Sequence, residues 1–249
     1  MRSTRLTIAL TTLLGTAGTT GADDLYVSGR LERISTPGVG GGGGIEWYHS
    51  ASPGRTLRLG VSAFALLGTR WASGGGGATF SFGRTIVATE GTVGRSNVEG
   101  SFLHLSGGLT RPLSGPRFVG DVECHFVGGR TASGALAKAG LTFLPRPSLT
   151  LQVGYFHSFI GTLGSRLAVA KLVSSIGPRR YLIGGSIGRS SPSVLGFIDE
   201  QRTQSLRHVF AGAALPLPAG GELLVILEHY DLAVVNRSLL SLAWKVGRR

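Results

Sequence analysis

From residue 23 onward, the chain is a succession of segments of about 9 to 13 residues in which apolar residues alternate with small or polar ones. Gly, Pro, Ser and Arg separate these segments. A period of two residues places alternate side chains on opposite faces of a strand, so each segment has one apolar and one polar face. Repetition of this pattern is typical of barrels whose strands face lipid on one side and a polar lumen on the other. The sequence therefore predicts an all-β protein, an antiparallel up-and-down transmembrane β-barrel.

The first 22 residues differ from the rest and have the three parts of a secretory signal. Arg2 and Arg5 form a basic region, residues 6–14 form an apolar core too short to span a bilayer, and residues 20–22 are small, as a cleavage site requires. After them no run of about 18 apolar residues occurs, so a transmembrane helix is not predicted. We expect a signal peptide over residues 1–22, export to the bacterial outer membrane, and a barrel domain over residues 23–249.

The composition suits a lipid-facing barrel better than a water-soluble domain. Gly accounts for 41 of 249 residues and charged residues for only 15%, while hydrophobic residues reach an ordinary 42%. A soluble domain of this size needs more surface charge, whereas a wall that faces lipid does not. The alternative is a soluble β-sandwich with one wet face, which also alternates. Dependence of folding on detergent would discriminate between the two.

The chain is strongly basic, with a formal net charge of +12, or about +10 once Arg2 and Arg5 are removed with the leader. The arginines are scattered through predicted strand ends and turns, so nucleic acid is not an expected partner. Phosphorylated lipid headgroups or an anionic polymer fit this distribution better. The single cysteine, Cys124, excludes an internal disulfide.

Proline residues mark the predicted turns, because proline cannot donate a hydrogen bond to a sheet ladder. Eight of the ten prolines form groups centred near residues 53, 114, 146, 178 and 217, which are about 61, 32, 32 and 39 residues apart. A period of about 32 residues corresponds to one hairpin, and the double gap predicts a further turn at Ser81–Arg84. Seven hairpins give about 14 strands, with 12 as the alternative.

The remaining connections are predicted between these hairpins, and one is much longer than the others. Because bacterial barrels have short periplasmic turns and longer extracellular loops, we place the proline turns in the periplasm and the long connection outside the cell. The predicted connections are Gly68–Ser73, Gly94–Asn97, Gly129–Ser133 and the long Ser190–Thr203.

Alternation also assigns side chains to lipid or lumen. A charged side chain in lipid near the midplane costs about 2 to 4 kcal/mol, so charged residues within strands are assigned to the lumen. The face of one of them, Glu228, stays open, because both faces of its strand carry apolar residues. The predicted lumen residues are Arg58, Asp121, Glu123, His125, Gln152 and Glu228. The predicted interfacial aromatic belt consists of Trp47, Trp71, Tyr155, Tyr181 and Trp244.

Two groups of predicted lumen residues share a strand face at two-residue spacing, so their side chains could act together. His104 and Ser106 share one strand face, as in outer-membrane lipid hydrolases, but lack a neighbouring Asn or acid to orient the histidine. Asp121, Glu123 and His125 also share a face, which we interpret as a charge network balanced by Arg or Lys, with a solute path or a metal site as alternatives. We therefore predict no catalytic, cofactor-binding or metal-binding residues, and keep a lipid-modifying hydrolase at His104 and Ser106 as the alternative.

Three segments of the chain, Leu25–Arg30, Leu206–Leu217 and Ser238–Val246, carry the strand patterns on which a family resemblance rests. In these segments the chain resembles the YaiO-like outer-membrane β-barrels, and the resemblance covers essentially everything after residue 22. It implies an outer-membrane location and no established chemistry, and related barrels occur with polysaccharide-secretion machinery.

The predicted function is accordingly non-enzymatic: a narrow channel, or an accessory or structural component linked to polysaccharide export. The expected partners are outer-membrane lipids and lipopolysaccharide, the barrel-assembly machinery and polysaccharide-export components.

Overall fold

The computed structural model describes residues 23–35, 38–66, 68–97, 100–115, 117–129, 133–160, 163–190, 204–232 and 236–246. These residues form a closed barrel of antiparallel strands in which each strand pairs with the next and the first strand pairs with the last. The predicted signal peptide, residues 1–22, lies outside the described residues.

The described residues form fourteen strands, so the predicted strand number is confirmed and the alternative of 12 is wrong. Strands of 11 to 15 residues alternate in exposure along most of their length, as expected for walls with two different surroundings. The strands are β1 (Asp23–Ile34), β2 (Gly38–Ser52), β3 (Arg55–Leu66), β4 (Thr69–Phe82), β5 (Thr85–Ser96), β6 (Gly100–Ser114), β7 (Phe118–Gly129), β8 (Ser133–Arg146), β9 (Leu149–Ile160), β10 (Leu163–Ile176), β11 (Arg179–Ser190), β12 (Gln204–Pro216), β13 (Glu222–Leu232) and β14 (Asn236–Val246).

One end of the barrel, which we call the turn end, holds β1 residue Asp23 and short connections of two to five residues between the strands. The proline groups lie at this end, and the additional turn deduced from their spacing is present at Gly83 and Arg84, where Gly83 has a φ of 58°. The connection before β13 contains a short 3-10 helix, Pro218–Gly220. Within the described residues no helix is long and apolar enough to cross a bilayer.

The opposite end, which we call the loop end, joins β1 to β2, β3 to β4 and the other pairs up to β13 and β14. The predicted connection Gly68–Ser73 is wrong from residue 69 onward, because β4 begins at Thr69. Gly68, with a φ of 77°, reverses the chain there without the longer loop. Likewise β5 continues through Ser96. Most of the long predicted connection, residues 191–203, lies outside the described residues.

Exposure alternates along each wall, which separates an outward face from a lumen face. On β3, Leu57, Leu59 and Val61 are exposed, whereas Arg58 and Ser62 point inward. Because β4 begins at Thr69, directly after the turn at Gly68, Trp71 lies opposite Phe64 on the lumen face, with ring centroids 5.6 Å apart. The assignment of Trp71 to the aromatic belt is therefore wrong.

The other four residues predicted for the aromatic belt face outward. Trp47, Tyr181 and Trp244 lie near the turn end, whereas Tyr155 lies about halfway along β9. Aromatic side chains at strand ends are typical of the level where lipid meets water.

The outward face carries an apolar band with arginines at its edges. On β11, Arg179 and Arg189 are both exposed, and the outward residues between them include Ile183 and Ile187 and no charged residue. Ten residues of a strand that rises about 3.3 Å per residue and tilts by about 40° span about 25 Å along the barrel axis. This height matches the lipid-facing band of transmembrane barrels.

Candidate functional site: the barrel lumen

Arg58 stands at the centre of an ion-paired group on the lumen face of β2, β3 and β5. Its guanidinium nitrogens lie 2.6 Å from Glu46 Oε1 and 2.7 Å from Glu90 Oε2. Glu90 is two strands away, and the intervening β4 residue is Gly77. A Cβ atom at Gly77 would lie 3.4 Å from the Cβ of Glu90, so the missing side chain leaves room for Arg58 to cross β4. The structure thus places Arg58 in the lumen with both partners on its own wall.

Asp121, Glu123 and His125 point into the lumen from β7 and meet one lysine of the neighbouring strand. Lys138 Nζ lies 3.1 Å from Asp121 Oδ2 and 3.3 Å from Glu123 Oε2, and His125 Nε2 lies 3.5 Å from that same Glu123 oxygen. The Asp121 carboxylate occupies the space over Gly140, where a Cβ atom would lie 2.7 Å from Oδ2. The row is therefore a charge network around Lys138.

His104 and Ser106 both lie on the lumen face of β6, but they do not form a pair. His104 Nε2 lies 3.2 Å from His125 Nδ1, and the two rings stack with centroids 5.4 Å apart. Among the described side chains, no hydrogen bond joins His104 to Ser106. Since a serine nucleophile needs a base within hydrogen-bond reach, this arrangement gives the hydrolase alternative no support.

Glu228 points into the lumen, which answers the question that its sequence context left open. It lies 3.1 Å from His208 Nε2 and accepts a hydrogen bond from the Tyr230 hydroxyl at 2.9 Å. The His208 and Tyr230 rings stack with centroids 4.0 Å apart. The lumen face of β13 is apolar nearer the turn end, because Leu224 and Ile226 belong to a buried apolar cluster there. Both faces of this strand are therefore apolar in sequence, although only one faces lipid.

Another charged group, between β1 and β14, contains the most buried of the described ion pairs. Glu32 binds the guanidinium of Arg237 through both carboxylate oxygens, with Arg237 Nη2 2.6 Å from Glu32 Oε2. Arg30 Nη2 lies 3.1 Å from that same oxygen. The Arg30 guanidinium also lies over the ring of Phe64 on β3, 5.1 Å from its centroid. Two strands that are not hydrogen-bonded to each other are thereby linked through the lumen.

The remaining predicted lumen residue, Gln152, lies on the lumen face of β9 opposite Lys171 of β10. Lys171 is half-buried and forms no ion pair with a described residue, unlike Lys138. These two side chains provide hydrogen-bond donors in the part of the lumen nearer the turn end.

Apolar side chains form a buried cluster in the lumen at the loop end, which we call the loop-end apolar cluster. Its buried members are only 1 to 3% exposed, although inward side chains of an open, water-filled barrel would be wetted. Its members come from β1, β3, β4, β10, β12 and β13, so the cluster packs across the lumen between strands that are not all neighbours in the sheet. It consists of Ile34, Leu66, Leu206 and Leu232, with Phe64, Trp71, Leu167 and Tyr230 packed against them.

Sequence reasoning missed most partners of the lumen charges. Glu46 alternates with Ile45 and Trp47, so its lumen position was readable from the pattern. Its contact with Arg58, however, depends on the register of β2 against β3, which alternation alone leaves free. Lys138 and His208 were missed for the same reason.

Solved structures share this architecture at low sequence identity. The monoaromatic hydrocarbon channel CymD has a TM-score of 0.68 at 8% identity, covering 93% of this chain and 90% of that chain. Omp33 of Acinetobacter baumannii has a TM-score of 0.62 at 14% identity, covering 92% and 100%. A bacterial polysaccharide outer membrane secretin has a TM-score of 0.59 at 9% identity, covering 93% and 100%. The fold is that of the outer-membrane β-barrels.

No protein-family model matches the chain, and no curated protein matches it in sequence. The barrel fold implied by the resemblance to YaiO-like proteins is confirmed, whereas membership of that family stays a prediction.

Proposed function

We propose that this chain is a non-enzymatic outer-membrane barrel that acts as a narrow channel, closed at rest by the loop-end apolar cluster. The observation that carries the proposal is the contrast within the lumen. Ion pairs around Arg58 and Lys138 line its polar walls, and buried leucines lie at its loop end beside the Glu32–Arg237 ion pair.

The polar walls suit the passage of small hydrophilic solutes, because paired charges leave few desolvated groups to trap a passing ion. The apolar cluster suits a gate, since hydrophobic constrictions stop water and ions by dewetting. In this proposal the turn end lies in the periplasm and the loop end outside the cell, following the usual distribution of short turns in bacterial barrels.

Conductance in planar bilayers tests the proposal. We expect wild-type protein to be closed most of the time, and the Leu66→Ala/Leu206→Ala variant to show frequent openings and a severalfold higher mean current. The matched control is Leu57→Ala/Leu59→Ala on the lipid-facing side of β3, which removes the same number of atoms and leaves the lumen unchanged. If the Leu66→Ala/Leu206→Ala variant folds correctly but gives no current, the proposed channel is rejected.

Ion selectivity provides a second measurement on the same protein. In the Leu66→Ala/Leu206→Ala background, adding Asp121→Asn and Glu123→Gln leaves Lys138 without its two carboxylates. The reversal potential in a salt gradient should then move toward anion preference. An unchanged reversal potential would mean that ions do not pass this group.

The YaiO-like resemblance also leaves room for an accessory role in polysaccharide export. That role requires no conductance of its own, so a silent membrane with a correctly folded barrel would favour it over the channel.

A further inference from the structure

The outward face of the loop end carries a concentration of arginines on three neighbouring strands. Arg166 of β10, Arg189 of β11 and Arg207 of β12 are all exposed, and we call them the loop-end arginine cluster. Arg166 and Arg189 are direct cross-strand partners. Arg207 lies diagonally from Arg189, because Arg189 pairs with Ser205, two residues before Arg207 on the same face.

This spacing brings three like charges close together. Directly opposed side chains have Cβ atoms about 5 Å apart and diagonal neighbours about 7 to 8 Å apart, well within the reach of an arginine. None of the three forms an ion pair with a described residue. Asp231 is the cross-strand partner of Arg207, yet their charged groups are not within 4 Å of each other. Because opposed like charges destabilise a sheet, the cluster is suited to an external anion.

The position of the cluster restricts the anion to one attached to a lipid. Two exposed apolar residues lie on the same face, each two residues nearer the turn end than an arginine of the cluster. Ile187, next to Arg189 on β11, is 62% exposed, and Val209, next to Arg207 on β12, is 59% exposed. These residues belong to the apolar band of about 25 Å derived above. A ligand that binds the arginines therefore lies beside a surface suited to acyl chains, which a soluble polymer or free phosphate does not use.

Two histidines also face the cluster, His157, which pairs with Arg166 from β9, and His229, an exposed residue of β13 that lies diagonally from Arg207. The His157 ring packs against Phe159, with centroids 4.3 Å apart.

The number of arginines indicates the number of phosphates in the ligand. Each guanidinium group binds phosphate through two parallel hydrogen bonds, so three arginines match a headgroup with more than one phosphate better than a single zwitterionic headgroup.

We propose that Arg166, Arg189 and Arg207 form a binding site for the headgroup of a lipid carrying two phosphates, with its acyl chains lying against the apolar wall of β11 and β12. The site is independent of the lumen, so it stands or falls separately from the proposed channel.

Native mass spectrometry of the detergent-solubilised protein tests the site, with diphosphorylated lipid A as the probe. We expect the wild-type protein to bind this lipid, and Arg166→Gln/Arg189→Gln to bind it at least about 10-fold more weakly, because two bidentate phosphate partners are lost. The matched control, Arg55→Gln/Arg179→Gln, removes two exposed arginines of the turn end and should change the apparent Kd by less than about twofold.

Four other outcomes would overturn the proposal. Equal loss of binding in both double variants would indicate a general effect of net charge. Equally tight binding of phosphatidylcholine would remove the role of the second phosphate, and displacement of the lipid by a moderate excess of inorganic phosphate would identify a simple anion site. Absence of binding to the wild-type protein would also reject the site.

Discussion

Replacing Arg58 by alanine tests whether the lumen charges stabilise the barrel. The side chain is 14% exposed and its partners, Glu46 and Glu90, are 19% and 20% exposed, so all three are largely removed from water. Each charge-assisted hydrogen bond contributes about 1.5 to 3 kcal/mol, and removal of the cation leaves two carboxylates without a counter-ion. Allowing for water in the lumen, we expect Arg58→Ala to lower the free energy of unfolding by about 3 kcal/mol.

The measurement is reversible urea unfolding in detergent micelles, followed by tryptophan fluorescence and by the gel shift of heated and unheated samples. Arg84→Ala, in the exposed turn between β4 and β5, should change the free energy by less than about 0.5 kcal/mol. Adding Glu46→Gln and Glu90→Gln to Arg58→Ala should recover about half of the loss, because the uncompensated carboxylates disappear. A cost below about 1 kcal/mol for Arg58→Ala, or no recovery in the triple variant, would refute the reasoning.

Two further predictions concern the lipid-facing wall. Val61→Arg, in the middle of the outward face of β3, should lower the free energy of unfolding in lipid vesicles by about 2 to 4 kcal/mol. Ser62→Arg changes the adjacent residue, which points inward, and should lower it clearly less in the same unfolding titration. Equal losses would contradict the assignment of faces. Cys124, the one cysteine of the chain, is an exposed residue of β7 and can carry a nitroxide label. In bilayers, power-saturation spectra should show that the label collides with oxygen more often than with a water-soluble nickel reagent. The reverse order would place this wall in water.

The general architecture was predictable because two local signals repeat along the chain. Alternation in a strand such as β3 reports the two faces directly, and proline groups report turns whose spacing gives the strand number. The same signals failed at Trp71, where glycine and serine residues suggested a loop. Glycine in this chain serves strands as well as turns, as Gly77 beneath Arg58 illustrates.

The site was only partly predictable, because contacts across the lumen depend on register and on strand order. Arg58, Asp121 and Glu123 were identifiable one strand at a time, by the cost of placing a charge in lipid. The loop-end apolar cluster was not identifiable from the sequence, because Leu66 and Leu206 lie 140 residues apart. The alternating pattern around each of them is the same as in any other strand of the barrel. A leucine on the lumen face cannot be told from a lipid-facing leucine until the register is known.

The lumen charges also explain how the register is held in a wall so rich in glycine. A one-residue slip of β3 would move Arg58 into lipid at a cost of about 2 to 4 kcal/mol and would break both of its ion pairs, for about 3 kcal/mol more. The sum is comparable with the whole net stability of a typical domain, about 5 to 15 kcal/mol. Glycines on β2 and β4 leave little side-chain packing to oppose such a slip. We infer that Arg58 fixes the pairing of these strands, which is a structural role that it would keep whether or not the lumen conducts.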